Sequence, residues 1–123
     1  MIKLTYCLRR LPHLSREAFQ DYWLNHHGPL VRAHATALRL KRYVQSHTLA
    51  EADQDPLRAS RGGPVAFDGI AELWWNSRED FEASFTTPEG REAGRILLQD
   101  EQHFIDMKNS PIMLSHEKTL VQD

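Results

Sequence analysis

The stretch Tyr22-Trp23-Leu24-Asn25-His26-His27-Gly28-Pro29-Leu30-Val31 places two adjacent histidines against a Gly-Pro pair at the end of an amphipathic helical pattern. Pro29 lacks a backbone donor and its ring clashes with the preceding turn, so the helix is predicted to break and to restart with Pro29 in its first turn. Histidine titrates near neutral pH, which suits proton transfer. The stretch therefore predicts either a histidine that lines a small-molecule pocket or a kink with no further purpose.

The helix that leads into this stretch is predicted to begin at Ser15, a favourable N-cap with Glu17 in the first turn. Its side chains recur at helical spacing. The positions of the resulting apolar stripe are Phe19, Trp23, His26, Leu30 and Ala37. Spacing puts His26 closer to the middle of this stripe than His27, so it leaves open which of the two histidines faces a pocket.

The remaining chain is predicted to alternate between strands and helices. Strand patterns cover residues 2–9, 40–49, 68–75 and 111–121, a polar loop covers 50–67, and further helices begin at Ser77 and Thr87. The order strand, helix, strand, loop, strand, helix, strand is the ferredoxin-like split βαβ pattern. We therefore predict an α+β fold with a four-stranded antiparallel sheet, built as one domain over residues 1–123.

A four-stranded sheet with helices on one face leaves its other face uncovered. We expect aromatic and aliphatic side chains there, and an apolar patch of that size is rarely left in water. The simplest solution is a two-fold homodimer in which the sheets pack face to face.

Composition argues against several classes of protein. A net charge of −2 gives no electrostatic footprint for nucleic acid or for an anionic membrane. No apolar run approaches the ~20 residues of a membrane-spanning helix, and the N-terminal residues lack the pattern of a signal peptide. The single cysteine, Cys7, cannot form a disulfide within the chain. Together these features favour a cytoplasmic protein.

The helix predicted from Pro88 carries an acidic residue on its apolar side. If this helix continues to Phe104, its shared face consists of Ala93, Ile96, Leu97, Asp100 and Phe104. An ionised Asp100 there must be paired or hydrogen-bonded, or its pKa must rise. Three interpretations remain open: an acid/base or orienting carboxylate at a pocket, the cap of a new turn after Gln99, or a structural ion pair.

Other side chains offer weaker indications. Tyr43 and His47 share one face of the predicted second strand, where a tyrosine either packs in the core or donates a hydrogen bond to a carbonyl or oxyanion. Trp74 and Trp75 point to opposite faces of the third strand, so one of them faces the uncovered side. The seven histidines lack a zinc-type spacing and no phosphate-binding glycine loop is present, so neither a metal nor another cofactor is predicted.

Taken in order, these segments resemble the EthD family of the dimeric α+β barrel superfamily over nearly the whole chain. The segments that carry the resemblance are Arg9-Arg10, Ser15-Arg16-Glu17-Ala18-Phe19, Tyr22 to Val31, Arg42 to His47, Asp68 to Trp74 and Asp100 to Asp106. The resemblance implies a ferredoxin-like protomer, a homodimer that forms a dimeric α+β barrel, and a pocket between sheet and helices. It also selects His27 over His26, because the family's His-x-Pro pattern falls on His27-Gly28-Pro29.

We therefore expect a cofactor-independent lyase or isomerase, of dehydratase, decarboxylase or cyclase type, for a hydrophobic oxygenated or aromatic substrate. In this hypothesis His27 transfers the proton, Asp100 orients it, and Tyr43 binds a carbonyl or enolate oxygen. The expected walls of the substrate site are Trp23, His47, Trp74 and Phe104. The alternatives are a non-catalytic ligand-binding or accessory protein of an oxidative degradation pathway, and a monooxygenase-like barrel, either cofactor-free or haem-dependent.

Overall fold

The computed structural model describes residues 1–123 and contains one antiparallel sheet of four strands in the order β2-β3-β1-β4. The strands are β1 (Ile2–Leu8), β2 (Arg42–His47), β3 (Gly69–Trp75) and β4 (Ile112–Ser115). The helices are α1 (Arg16–Tyr22), α2 (Gly28–Ala33), α3 (Pro56–Ser60), α4 (Arg78–Thr86) and α5 (Pro88–Glu101). This arrangement confirms the predicted α+β fold of ferredoxin-like topology.

The helices start where the capping residues predict. Ser15, Ser77 and Thr87 each accept a hydrogen bond from a backbone N–H three residues further on, which satisfies one of the free donors in the first helical turn. The predicted loop 50–67 also contains the short helix α3, because Asp55 caps it and Pro56 occupies its first position. None of the helices combines the length and the apolarity that crossing a membrane requires.

The helix does not break at Gly28-Pro29 as the sequence predicts. Instead, α1 runs into a π-helical turn, Trp23–His27, which continues directly into α2. The N–H of Gly28 donates to the carbonyl of Trp23, five residues earlier, which is the bonding pattern of a π turn. The extra residue in this wider turn makes room for the proline ring, so the chain keeps its direction while the side chains of the turn are re-aimed.

The last strand is shorter than predicted. It ends at Ser115, which pairs with Lys3, and residues 116–123 form neither helix nor strand. β4 is an edge strand whose only neighbour is β1, and β1 begins at Ile2. The pairing of β4 with β1 therefore ends at Ser115, because β1 begins only one residue before Lys3.

A buried carboxylate ties the start of α1 to the sheet. Asp68, 2% exposed, accepts hydrogen bonds from the backbone N–H of Arg10 at 2.8 Å and from Nε of Arg16 at 3.0 Å, and it forms an ion pair with the Arg10 guanidinium. Burial alone favours a higher pKa for Asp68, but these bonds outweigh it and hold the pKa below its usual range. The pairing fixes where α1 leaves β1 and so positions the π turn over the sheet.

The apolar core lies between the helices and the sheet and has two parts. One part consists of Leu8, Phe19, Trp23, Ala71, Phe104 and Ile105, and the other of Val31, Leu38, Ala93 and Leu97. The ring of Trp23 approaches β3 closely because position 69 is glycine. A Cβ there would stand 2.8 Å from Cη2 of Trp23 and 3.1 Å from the carbonyl oxygen of Ser46.

The uncovered face of the sheet is more polar than the sequence predicts. Lys3 forms an ion pair with Glu72 across this face, which supplies the partner that a charge in β3 requires. Trp74 lies beneath the cationic groups of Lys3 and Arg42, at 5.1 Å and 4.6 Å, and its Nε1 donates to Glu117 at 2.5 Å. The face is therefore mixed: Trp74 lies there, as expected for one of the two tryptophans, but the charged side chains of Lys3, Arg42 and Glu72 surround it.

We predict that Gly69→Ala destabilises the protein by roughly 1–3 kcal/mol, because the new methyl group must displace either the Trp23 ring or the β2 backbone. Urea unfolding measures the change. Gly94→Ala is the matched control, because a methyl group at position 94 would meet no atom within 4 Å beyond the adjoining backbone of its own helix, and alanine favours the helix by roughly 0.5–1 kcal/mol. Equal stabilities for the two variants would contradict the close approach of Trp23 to β3.

Candidate functional site

The π turn sends its two histidines in different directions. His27 is 5% exposed and its ring centroid lies 5.0 Å from that of Phe104, inside the space between helices and sheet. The side chain of His26 is 60% exposed and its ring stacks on Tyr22, with 4.5 Å between centroids. Of the two candidates, His27 is therefore the one that faces the interior.

Asp100 meets His27 from the far end of the chain. Its Oδ2 lies 2.7 Å from Nδ1 of His27, and its Oδ1 accepts a hydrogen bond of 2.5 Å from the hydroxyl of Tyr22. His26 adds a longer contact of 3.4 Å between its Nδ1 and Oδ1 of Asp100. The carboxylate belongs to α5 itself, so Asp100 does not cap a new turn, and both of its oxygens have partners.

These contacts set the protonation states of the pair. Burial lowers the pKa of His27 more than the neighbouring Asp100 raises it. Burial works to raise the pKa of Asp100, but the hydrogen bonds from Tyr22 and His27 outweigh it and hold that pKa below its usual range. A neutral imidazole beside an ionised carboxylate carries its proton on Nδ1, because the carboxylate only accepts. The lone pair of His27 is then left on Nε2, for which the chain provides no hydrogen-bond partner.

His27 lines a cavity of about 140 Å³ between the sheet and the helices. Its walls consist of Leu4, Tyr6, Leu8, Trp23, His27, Val31, Tyr43, Ala71, Leu73, Leu97, Glu101, Ile105 and Ile112. The volume is close to the ~150 Å³ of an apolar cavity that holds one benzene molecule. The cavity can therefore take a ring-sized apolar group beside a basic nitrogen.

Glu101 is a second titratable group in the cavity wall, and it was not among the predicted site residues. It follows Leu97 by four residues on α5, so the helical spacing that revealed Asp100 could also have revealed Glu101. Its carboxyl group forms no hydrogen bond within the chain. Burial, reinforced by the charge of Asp100, raises the pKa of Glu101 to about 7. This carboxyl group is able to give or take a proton near neutral pH.

Tyr43 and His47 lie on one face of β2, as predicted, but only Tyr43 reaches the cavity. Gln45 stands between them. Its Nε2 donates to the hydroxyl oxygen of Tyr43 at 2.7 Å, and its Oε1 lies 2.8 Å from Nε2 of His47. Because the Tyr43 oxygen accepts this bond, its own proton remains available to a ligand in the cavity.

The four expected wall residues lie in different places, and only Trp23 lines the cavity. Trp23 lines the cavity, with His47 stacked on its ring at 4.6 Å. Phe104 is fully buried behind His27 and does not line the cavity. Trp74 lies on the opposite face of the sheet, which corrects its expected position, because outward and inward side chains alternate along β3.

Outside the cavity, His47 lines a wider groove of about 490 Å³ bordered by the basic residues Arg32, Lys41 and Arg42. This groove contains neither His27 nor Glu101, so the smaller cavity is the better candidate for proton chemistry. No group of three or more His, Cys, Asp or Glu side chains is arranged to hold a metal ion.

The raised pKa of Glu101 predicts a pH-dependent stability. The folded-state pKa of about 7 lies above the ordinary 4.5, so the folded chain binds more protons between these values and its free energy of unfolding falls as pH rises. Glutamine does not ionise, so Glu101→Gln removes that loss. The free energy of unfolding of the variant is expected to exceed that of the wild type by about 3 kcal/mol at pH 8 and to differ little from it at pH 4. Urea unfolding at both pH values measures this, with the exposed Glu89→Gln as control. Parallel pH profiles for wild type and Glu101→Gln would contradict the burial of this carboxyl group.

Structural comparison places the chain among ferredoxin-like proteins of similar length. An EthD family protein from Bacillus halodurans is 23% identical with a TM-score of 0.64, covering 96% of this chain and 99% of that one. A dimeric protein of ferredoxin-like fold from Bacteroides fragilis is 9% identical with a TM-score of 0.58, covering 94% and 95%. A hydroxynitrile lyase from Passiflora edulis is 16% identical with a TM-score of 0.58, covering 98% and 96%.

Sequence comparison adds the family. No curated protein sequence matches the chain. The sequence model of the EthD domain matches residues 11–108, a segment that contains the π turn, the cavity walls contributed by β2 and β3, and both carboxylates of α5. Because this match covers most of the chain, the protein belongs to the EthD family.

Proposed function

We propose that this protein is a cofactor-independent enzyme that removes a proton from a hydrophobic, ring-containing oxygenated substrate, in a reaction of lyase or isomerase type. The observation that carries the proposal is the state of His27. Its Nδ1 is engaged by Asp100 at 2.7 Å, and its unpaired Nε2 belongs to a side chain that lines the cavity.

His27 suits the part of a general base. A neutral imidazole accepts a proton readily, and the ionised Asp100 stabilises the cation that results. Asp100 is itself held by the 2.5 Å hydrogen bond from Tyr22, so the ring of His27 is oriented before a ligand arrives. Such a positioned base contributes ~10²–10⁴-fold to a rate.

Tyr43 suits the part of the group that binds oxygen. A hydroxyl proton aimed at a carbonyl stabilises the negative charge that develops on that oxygen when a neighbouring carbon loses its proton. Most other cavity-lining side chains, among them Leu8, Trp23 and Leu73, are apolar and suit a hydrocarbon ring. A cyclic ketone or a partly reduced aromatic compound combines these features.

The reaction that follows proton removal depends on the substrate. His27 takes the proton from carbon, and the electron pair of the C–H bond forms a new C=C bond toward the carbonyl. The enolate then either expels a leaving group, which is lyase chemistry, or receives a proton at another carbon, which is isomerisation. The hydroxynitrile lyase from Passiflora edulis has this fold, but at 16% identity it supports a likeness of fold alone, and the cavity of this chain supports the proposed reaction.

A non-catalytic ligand-binding protein is the second candidate, favoured by the apolar character of the wall. Eleven of the thirteen residues that line the cavity are hydrophobic, as is usual for sites that bind small apolar molecules. This candidate predicts that ligands bind without turnover and that His27 contributes little beyond packing.

We also propose that the protein forms a homodimer through the uncovered face of the sheet. Trp74 lies on this face, the exposed apolar side chain of Met113 on β4 borders it, and the Bacteroides fragilis protein of the same fold is dimeric. Sedimentation equilibrium is expected to give twice the chain mass of 14.3 kDa. The chain mass alone would contradict the proposal.

The enzyme hypothesis predicts exchange of carbon-bound hydrogen in a simple ketone. Cyclohexanone, whose size matches the cavity, is expected to lose its α-protons to D₂O in the presence of the protein, as followed by proton NMR. His27→Asn is expected to lower the protein-dependent rate by roughly 10²–10⁴-fold, because the amide is not basic.

His103→Asn is the matched control, because His103 is exposed and lies outside the cavity. It should exchange cyclohexanone at the wild-type rate. Equal rates for wild type and His27→Asn would contradict the assignment of His27 as the base. Binding of cyclohexanone without exchange in the wild type would favour the ligand-binding candidate.

A further inference from the structure

We propose that Glu101 is the acid partner of His27: it donates a proton to the substrate oxygen while Nε2 of His27 removes a proton from carbon. The inference rests on the proposed function and adds a second proton-transfer residue to the same cavity. Its basis is the placement of an unpaired carboxyl group in the cavity that His27 lines.

The helix α5 delivers two adjacent carboxyl groups to different surroundings. Asp100 points at Tyr22 and His27 and has hydrogen bonds to both oxygens. Glu101 follows Leu97 by one helical turn and lines the cavity together with it. Asp100 and Glu101 are adjacent on α5 and therefore point in different directions. Asp100 orients the base, and Glu101 faces the cavity.

Four titratable groups face or adjoin Glu101, whereas β3, β4 and α2 contribute only apolar side chains to the cavity wall. The four groups are Tyr6 on β1, His27 in the π turn, Tyr43 on β2 and Asp100 on α5. No lysine or arginine lines the cavity, so no cation stabilises an ionised Glu101. Burial and then the charge of Glu101 raise the pKa of Tyr6 to about 12, so both tyrosines stay protonated beside it.

This arrangement gives the two residues of the pair opposite tasks. An acid and a base that act on one substrate typically have surroundings that set different protonation states. The base is held neutral, and the neighbouring carboxyl group is held protonated. Burial keeps His27 neutral and Asp100 orients its ring, while burial raises the pKa of Glu101 to about 7, so that a substantial share of its carboxyl groups is protonated at neutral pH. Acidic pH protonates His27 and alkaline pH ionises Glu101, so the rate should pass through a maximum between the two.

The step balances without a further reactant. The α C–H bond of a ketone breaks, its proton goes to Nε2 of His27, and its electron pair forms the C=C bond. The carbonyl oxygen takes the proton of Glu101, which leaves an enol, an imidazolium and a carboxylate. In D₂O the Glu101 carboxyl group already carries deuterium and the histidine exchanges its proton with solvent, so reversal of the step returns deuterium both to carbon and to Glu101.

The test compares Glu101→Gln with the wild type in the cyclohexanone exchange reaction across pH 5–9. Glutamine keeps the shape and can donate a hydrogen bond, but it cannot transfer a proton. We expect the maximal exchange rate to fall by at least ~10²-fold and the alkaline limb of the pH profile to disappear, with the affinity for cyclohexanone changed less than about threefold. Glu89→Gln, an exposed change on the same helix, should keep the wild-type rate and profile.

A second measurement does not depend on turnover. With ¹³C-labelled glutamate carboxyl groups, saturating cyclohexanone should raise the pKa of Glu101, because only the protonated acid donates to the ketone oxygen. Addition of cyclohexane, which has no oxygen to accept a proton, should raise it less. An unchanged pKa with cyclohexanone would overturn the proposal even if the protein catalysed no exchange.

The outcomes separate the two hypotheses. Loss of exchange in His27→Asn together with a wild-type rate and alkaline limb in Glu101→Gln would overturn the role of Glu101 and leave the base in place. Insensitivity to both substitutions would overturn the proposed function itself. A lower rate in Glu101→Gln that keeps the alkaline limb and comes only from weaker binding would show a structural role and would also overturn the proposal.

Discussion

The hydrogen bond between His27 and Asp100 joins the two halves of the molecule at its candidate site. His27 belongs to the first βαβ half of the chain and Asp100 to the second, 73 residues later. The bond holds a neutral imidazole against an ionised carboxylate, and both side chains are less than a tenth exposed. Because a carboxylate only accepts hydrogen bonds, the contact also decides which nitrogen of the ring keeps its lone pair.

Several features of the fold serve this contact. The π turn at Trp23–His27 rotates His27 inward and leaves His26 at the surface, although the two are adjacent. Gly69 lets the ring of Trp23 approach the sheet, which places the turn directly over β3. On α5, consecutive residues point in different directions, so Asp100 reaches the histidine while Glu101 lines the cavity. The site therefore depends on helical geometry at two places more than on any loop.

Much of this arrangement was predictable from local patterns. The caps at Ser15, Ser77 and Thr87 and the alternation of β1 and β3 predicted the element order, and the helical spacing of Ala93, Leu97 and Asp100 predicted a buried carboxylate. The family resemblance selected His27, since spacing alone favoured His26.

The errors have physical causes that lie beyond local sequence. Proline is compatible with a continuous helix when the preceding turn widens, as it does before Pro29. No local sequence pattern predicts such a π turn. Alternation along β3 predicts that Trp74 and Trp75 face opposite sides, but it does not show which side the helices cover, so the expected position of Trp74 at the cavity wall is wrong. Glu101 follows Leu97 by one helical turn, so spacing places it on the same side of α5, but a charged residue there is ordinarily exposed. Its enclosure in the cavity wall follows from the packing of β1, β2 and α5 around it.

The protonation state of His27 provides the most direct test of the proposed site. Long-range ¹H–¹⁵N NMR at pH 7 distinguishes a protonated ring nitrogen from one with a free lone pair. We predict a neutral ring with the proton on Nδ1, bonded to Asp100, and an unprotonated Nε2 facing the cavity. A proton on Nε2 with a bare Nδ1, or an imidazolium that persists at this pH, would contradict the proposed role of His27.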